Sequence, residues 1–245
     1  MDSLYIIIPA YNEELNIELV AREWHEVLER VGDSNSKLVI INDGSKDNTY
    51  KKLCELKNDL PFLIPLTKQN EGHGSTVLYG YKYAIENNAD YIFQTDSDGQ
   101  TLPTEFYEFW EEREKYAALI GFRNKRQDGF SRIIVTKVLK LILFLVFRLN
   151  IKDANTPFRL IKKETLEKYV DKIPSNFNLS NVMLTVLMFN SNEKIKFIPI
   201  TFRTRQGGVN SINLRKIIKI GMQAIKDFKD FQKTFRKETN STNEI

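Results

Sequence analysis

The chain has 245 residues, 42% of them hydrophobic, which is enough apolar material for one sizeable core or a domain with accessory elements and argues against disorder as the default. Its 36 Lys and Arg against 32 Asp and Glu leave a formal charge of +4, too even a balance to point to nucleic acid. The single cysteine, Cys54, excludes an internal disulfide and a thiolate-rich metal site. It falls among apolar positions of an expected helix and reads as a small buried hydrophobe. In chain order, Leu4 to Ile8, Leu38 to Ile41, Phe62 to Leu66, Tyr91 to Gln94 and Ala117 to Ile120 are short apolar runs followed by turn formers, and they read as strands. Segments beginning near Glu13, Asp47, Ser75 and Thr104 repeat apolar residues at helical spacing and read as helices. This alternation predicts an α/β fold, a mostly parallel sheet with helices on both faces, that binds its ligand at the carboxyl ends of the strands.

The second half changes character. Residues 132–149, RIIVTKVLKLILFLVFRL, read as a basic, strongly apolar helix. A spanning helix needs about 20 largely uncharged residues, so this one is expected to lie in a membrane interface. Packing in a core or a dimer seam is the alternative. Residues 212–237 read as a C-terminal amphipathic helix and 238–245 as a frayed tail. The opening MDSLYIIIPAYNEE lacks a basic region and a long apolar stretch, so a cytoplasmic site is expected.

The chemistry collects at the expected strand ends. Asp96-Ser97-Asp98-Gly99-Gln100 follows the fourth strand, and two carboxylates one residue apart at such a turn suit a hard cation such as Mg²⁺ or Mn²⁺ that neutralises a departing diphosphate. Asp43-Gly44-Ser45 follows the second strand and Tyr11-Asn12-Glu13-Glu14 the first. An Asx turn or helix cap is the alternative role for Asp43, and support of a helix dipole that for Glu13 and Glu14. Gly72 and Gly74, around His73, read as allowing a tight turn and close approach of the backbone to a ligand. Gly121-Phe122-Arg123-Asn124-Lys125-Arg126-Gln127-Asp128 follows the fifth strand, and its arginine forks suit an acceptor phosphate; solvated surface cations are the alternative.

IIIPAYNEE, VIINDGSKDNT, NEGHG and TDSDGQ, in this order and spacing, resemble the family 2 glycosyltransferases over roughly residues 4–211. Within that family the chain is similar to the dolichyl-phosphate mannosyltransferases and related polyprenyl-phosphate enzymes. The resemblance implies a GT-A type nucleotide-binding fold within residues 1–211, a metal held by Asp96, Asp98 and Gln100, and an inverting transfer. It implies that Pro9, Tyr11, Glu13, Asp43, Gly44 and Asp96 bind the nucleotide-sugar, and that Arg205 and Ser211 sit in a loop closing over it. Asp98, Arg123 and Arg126 are the expected catalytic residues, the two arginines on the acceptor phosphate. The chain differs from the family where Thr156-Pro157-Phe158-Arg159 replaces Ser-Gly-Phe-Arg and where Ile212 follows Ser211 in place of Lys.

A hydroxyl acceptor needs a general base, and NLSNVMLTVLMFN offers no carboxylate pair for one. A phosphate, with a second pKa near about 6, is already largely ionised. The expected partners are therefore a nucleotide-sugar, a polyprenyl phosphate and the inner membrane surface, with a homo-oligomer or membrane-protein partner left open. A transferase acting on a sugar or lipid hydroxyl, with Asp153 as base or as an arginine's structural partner, is the competing enzyme reading. A noncatalytic membrane-bound scaffold with the same fold is the competing reading from another class.

Overall fold

The computed structural model describes residues 2–126 and 130–203, with 223, 226 and 228, and the side chains of these residues other than 124–126 and 130–136. It contains a seven-stranded sheet of β1 (Leu4–Ala10), β2 (Lys37–Asp43), β3 (Leu63–Lys68), β4 (Tyr91–Gln94), β5 (Ala118–Arg126), β6 (Arg159–Lys162) and β7 (Ile195–Phe202), in the order β3-β2-β1-β4-β6-β5-β7. Only β6 runs against its neighbours. The helices are α1 (Ile17–Val31), α2 (Thr49–Leu56), α3 (His73–Glu86), α4 (Phe106–Glu112), α5 (Phe130–Phe147), α6 (Lys163–Tyr169) and α7 (Ser180–Asn190).

The central strands are apolar without a break because helices cover both faces. On one face Leu4, Ile6 and Ile8 of β1 join Leu38 and Ile40 of β2 and the buried side of α1. Trp24 anchors that core, its ring 5.1 Å from Phe93 and 6.0 Å from Phe158, with Phe93 and Phe158 edge-on at 4.7 Å. Each such side chain stabilises the fold by about 1.5–3 kcal/mol on burial. On the other face α3 lies so close to the sheet that a Cβ on Gly80 would stand 2.3 Å from Ile7 Cγ2.

Three expectations are corrected. The chain after Ala10 forms turns with Asn12 at φ 55°, and α1 starts at Ile17 rather than near Glu13. The segment from Gly121 to Arg126 is not a loop beyond the fifth strand but its continuation, paired in parallel with β7 from Ile198 to Phe202. Cys54 is exposed, because α2 turns Leu53 and Leu56 inward instead.

The chain forms two compact units, Met1–Asp128 with Lys152–Gly208, and Gly129–Ile151 with Val209–Ile245. In the second, α5 buries Ile142 and Leu143 and sets the Phe147 ring 5.7 Å from Phe228. Gln223, Lys226 and Phe228 are helical; the rest of the expected C-terminal helix at 212–237, and the tail, lie outside the described residues.

Candidate active site

The topology sets the ends of β2, β1 and β4 side by side, since β1 pairs with both of the others. The turn after β4 is tied to β1 directly: Ser97 Oγ donates to the Pro9 carbonyl at 2.8 Å. Across the β1–β2 edge, the Asn12 N–H donates to Ser45 Oγ (2.9 Å) and the Lys46 N–H to Asn12 Oδ1 (2.8 Å). The motifs that are separate in sequence thus form one rim.

Asp43 is buried there. Its carboxylate accepts from Lys68 Nζ (3.0 Å), the Glu71 N–H (3.1 Å) and the Gly72 N–H (3.0 Å). Burial alone would push this carboxyl up, but the Glu71 N–H and the Lys68 ammonium outweigh it and hold the pKa below the usual carboxylate value. Gly44 follows at φ 64°, and a Cβ on it would lie 2.8 Å from the Asn70 nitrogen, so the turn needs glycine. Tyr11 is exposed on the same rim, while Glu13 is buried and accepts from Asn16 Nδ2 at 2.8 Å.

The other carboxylates are more open. Asp96 Oδ1 lies 2.9 Å from His73 Nε2, the first side chain of α3, and 3.4 Å from Gln94 Nε2. Crowding opposes the charged imidazole, yet Asp96, with Asp98 and Asp43 farther off, raises its pKa above the ordinary value. Asp98 Oδ1 accepts the Gln100 N–H (3.1 Å) in a turn where Gly99 takes φ 68°. The Gln100 side chain is buried and donates to the Arg203 carbonyl at 2.8 Å. This oxygen-rich, strand-end donor set fits a hard divalent cation. Among the described residues no cluster of three or more His, Cys, Asp or Glu is placed to hold one, so water and substrate oxygens would complete its coordination.

Gly74 differs from its expected role. A Cβ there would strike the Phe177 carbonyl oxygen at 2.2 Å, so the close approach it permits is to the segment before α7, not to a ligand.

Arg123 is not a free surface cation. Its Nε and Nη2 donate to the two oxygens of Asp153 at 2.8 and 2.9 Å, with both side chains largely buried. Asp153, expected as a base or as an arginine's partner, is the partner. Arg126 closes β5 and its side chain is not described; Arg205 and Ser211 lie outside the described residues.

Sequence reading missed Arg159. It is fully buried on β6 opposite Gln94 and donates to the carbonyls of Ala154, Thr156 and Asn181 and to Thr185 Oγ1, fixing the Asp153 loop to α7. The departing Thr-Pro-Phe-Arg element gave the only signal for it.

The chain is similar to several known proteins. The chain is 29% identical over 184 residues to the UDP-N-acetylglucosamine–dolichyl-phosphate N-acetylglucosaminyltransferase of Methanococcus voltae, covering 67% of this chain and 71% of that one. It is 24% identical to the polyprenol monophosphomannose synthase of Mycolicibacterium smegmatis, covering 85% and 80%. Its fold matches glucosyl-3-phosphoglycerate synthase of Mycobacterium tuberculosis with a TM-score of 0.67 at 17% identity, over 94% of this chain and 80% of that one. That protein has also been solved with Mn²⁺ and UDP. The fold is therefore of the GT-A type, and residues 5–170 match the model of glycosyl transferase family 2, to which the chain belongs.

Proposed function

We propose that the chain moves a sugar from a nucleotide diphosphate donor to a polyprenyl phosphate, with inversion, at the cytoplasmic face of a membrane. The observation that carries the reading is the shared rim of Asp43, Asp96 and Asp98 at adjacent strand ends, the place where an open α/β sheet binds a nucleotide. Pro9, Tyr11, Glu13, Asp43 and Gly44 form the nucleotide side of the site. Asp96, Asp98 and Gln100 would hold Mg²⁺ or Mn²⁺, which would offset the charge growing on the departing diphosphate.

In the transfer, an acceptor phosphate oxygen bonds to C1 of the sugar from the face opposite the donor. The C1–O bond to the diphosphate breaks, and its electron pair leaves on the diphosphate oxygen. The acceptor is already ionised at neutral pH, so the protein needs to position it rather than take a proton from it. This suits the surroundings. Asp153 is engaged on both oxygens by Arg123, and the start of α7 carries Ser180 and Asn181, which are not bases. Arg123 and Arg126 on β5 are the proposed contacts for the acceptor phosphate. The exposed apolar residues of α5 are the proposed membrane contact.

The test is to incubate purified protein with UDP- and GDP-sugars and Mg²⁺ or Mn²⁺, with and without a short polyprenyl phosphate, and to follow nucleoside diphosphate release. Release that requires the polyprenyl phosphate is the expected result. Release that requires a neutral sugar or lipid hydroxyl instead would overturn the acceptor assignment.

A further inference from the structure

Glu71, Gly72 and His73 are consecutive and bridge the two halves of the site. The first two give their backbone N–H groups to Asp43, on the nucleotide side, and the third places Nε2 2.9 Å from Asp96 Oδ1, on the metal side. The bridge is fixed at its base: Thr76 Oγ1 donates to the Gly72 carbonyl at 3.1 Å, and Gly74 leaves no room for a shift against Phe177. His73 itself remains half-exposed, so its ring can turn while its backbone cannot. The first turn of α3 holds no acid that would compete for the ring.

A cation arriving at Asp96 meets an oxygen already hydrogen-bonded to an imidazole N–H. A diphosphate held between Asp43 and that cation would come within reach of the same N–H, because residues 71–73 span the two carboxylates. One donor group therefore has two acceptors to choose from, one before the donor binds and one after.

We propose that His73 is a positioning residue that holds Asp96 in the free protein and passes its Nε2–H to a diphosphate oxygen of the donor when metal and donor bind. This rests on the metal reading above and adds to it a coupling between the two ligands. The N–H serves in the neutral Nε2–H tautomer as well as in the charged ring, so the proposal does not depend on the state of protonation. By linkage, a contact made with Asp96 in one state and with phosphate in the other makes metal and nucleotide assist each other's binding.

The experiment measures binding rather than turnover, with Mn²⁺ alone and then UDP or GDP in the presence of Mn²⁺, by calorimetry and by the electron spin resonance of free Mn²⁺. His73→Ala should bind Mn²⁺ alone about two- to fivefold more tightly, because a half-exposed hydrogen bond no longer competes for Asp96. It should bind the nucleoside diphosphate with Mn²⁺ about tenfold more weakly, because a charge-assisted hydrogen bond to phosphate is lost. His73→Gln, which keeps an N–H at similar reach, should lie nearer the parent on both measures. Circular dichroism identical to the parent's would show that the variants fold.

Opposite signs support the proposal. Weaker binding of Mn²⁺ alone in His73→Ala would make His73 a metal ligand and overturn it, and unchanged nucleotide binding would reduce His73 to a counter-ion and overturn it too. Asp98→Asn separates the two failures. If that variant loses Mn²⁺ while His73→Ala matches the parent, the metal reading stands and the proposal falls. A parent that binds no Mn²⁺, with or without UDP or GDP, overturns both.

Discussion

Asp96 and Asp98 lie one residue apart, but Asp96 is engaged by a side chain from α3 while Asp98 caps the turn between them and Gln100. If both hold the cation, Asp98→Asn should lower turnover by about a hundredfold or more, since a metal supplies several kcal/mol of charge stabilisation. Asp98 is partly exposed, so the fold should survive, and EDTA should inactivate the parent equally. Full activity in the variant would remove the metal from the mechanism. Arg123 calls for a different experiment. Arg123→Gln removes the two charge-assisted bonds to the buried Asp153 carboxylate, which keeps the Asn155 N–H, and should cost about 1.5–3 kcal/mol in urea denaturation. Arg123→Gln with Asp153→Asn should recover much of that loss. On this recovered background a raised KM for polyprenyl phosphate with unchanged nucleotide affinity identifies Arg123 as an acceptor contact; an unchanged KM assigns it to structure alone. His25 offers a pH test away from the site. Burial lowers its pKa against the pull of Glu29 and Glu26, and its Nε2 faces the Phe62 N–H at 3.5 Å. A folded-state pKa below the unfolded value gives stability that is present above about pH 6.5 and is lost as pH falls toward the folded value. Between about pH 7 and pH 5 the parent should therefore lose more stability than His25→Leu, and parallel profiles would rule His25 out as a source of that loss. The carboxylates and Gly44 were legible because each belongs to a local motif at a strand end. The partners were not: His73 meets Asp96 across 23 positions and Arg123 meets Asp153 across 30, and no local pattern encodes such pairs.

The strands divide in the same way. β1, β2 and β4 could be read because strands covered on both faces are continuously apolar. β6 has only Leu160 and Ile161 between Arg159 and Lys162, too short an apolar run to read as a strand, and β7 contains Pro199, which reads as a breaker. The sheet tolerates that proline because β7 is an edge strand, where a missing N–H need not interrupt a ladder on both sides. The outer half of β5 is polar, and it is held as a strand by β7, so its existence follows from a pairing that the sequence pattern does not reveal. Gly80 shows the same dependence on tertiary context. Within a helix Ala is normally favoured over Gly by about 1 kcal/mol, but here the added methyl meets Ile7 Cγ2 at 2.3 Å and Ile41 Cδ1 at 3.0 Å. Gly80→Ala should therefore destabilise by about 1–3 kcal/mol as α3 is pushed off β1. A more stable variant would mean that α3 can move away freely, and that the close contact does not define the helix's seat.

At the scale of the whole molecule, α5 carries an apolar face that is exposed. No helix among the described residues is long and apolar enough to cross a membrane. Val138, Leu141 and Leu145 nevertheless form one exposed stripe at helical spacing, with exposed Phe144, Lys137 and Lys140 beside it. Apolar side chains next to lysines suit insertion at the level of lipid headgroups, where each lysine adds about 1 kcal/mol of attraction to an anionic surface. Binding should accordingly be reversible, stronger on anionic than on neutral vesicles and weakened by salt. Replacing Leu141, Phe144 and Leu145 by serine should release the protein from anionic liposomes in a flotation assay without loss of the core, because all three side chains are exposed. Lys137→Gln with Lys140→Gln should weaken binding less and remove most of its salt dependence, which separates apolar insertion from charge attraction. If the parent fails to float with anionic vesicles, with or without polyprenyl phosphate, the stripe belongs against protein, and a concentration-dependent rise in mass on ultracentrifugation, abolished by the serine variant, would then identify a second copy as what covers it.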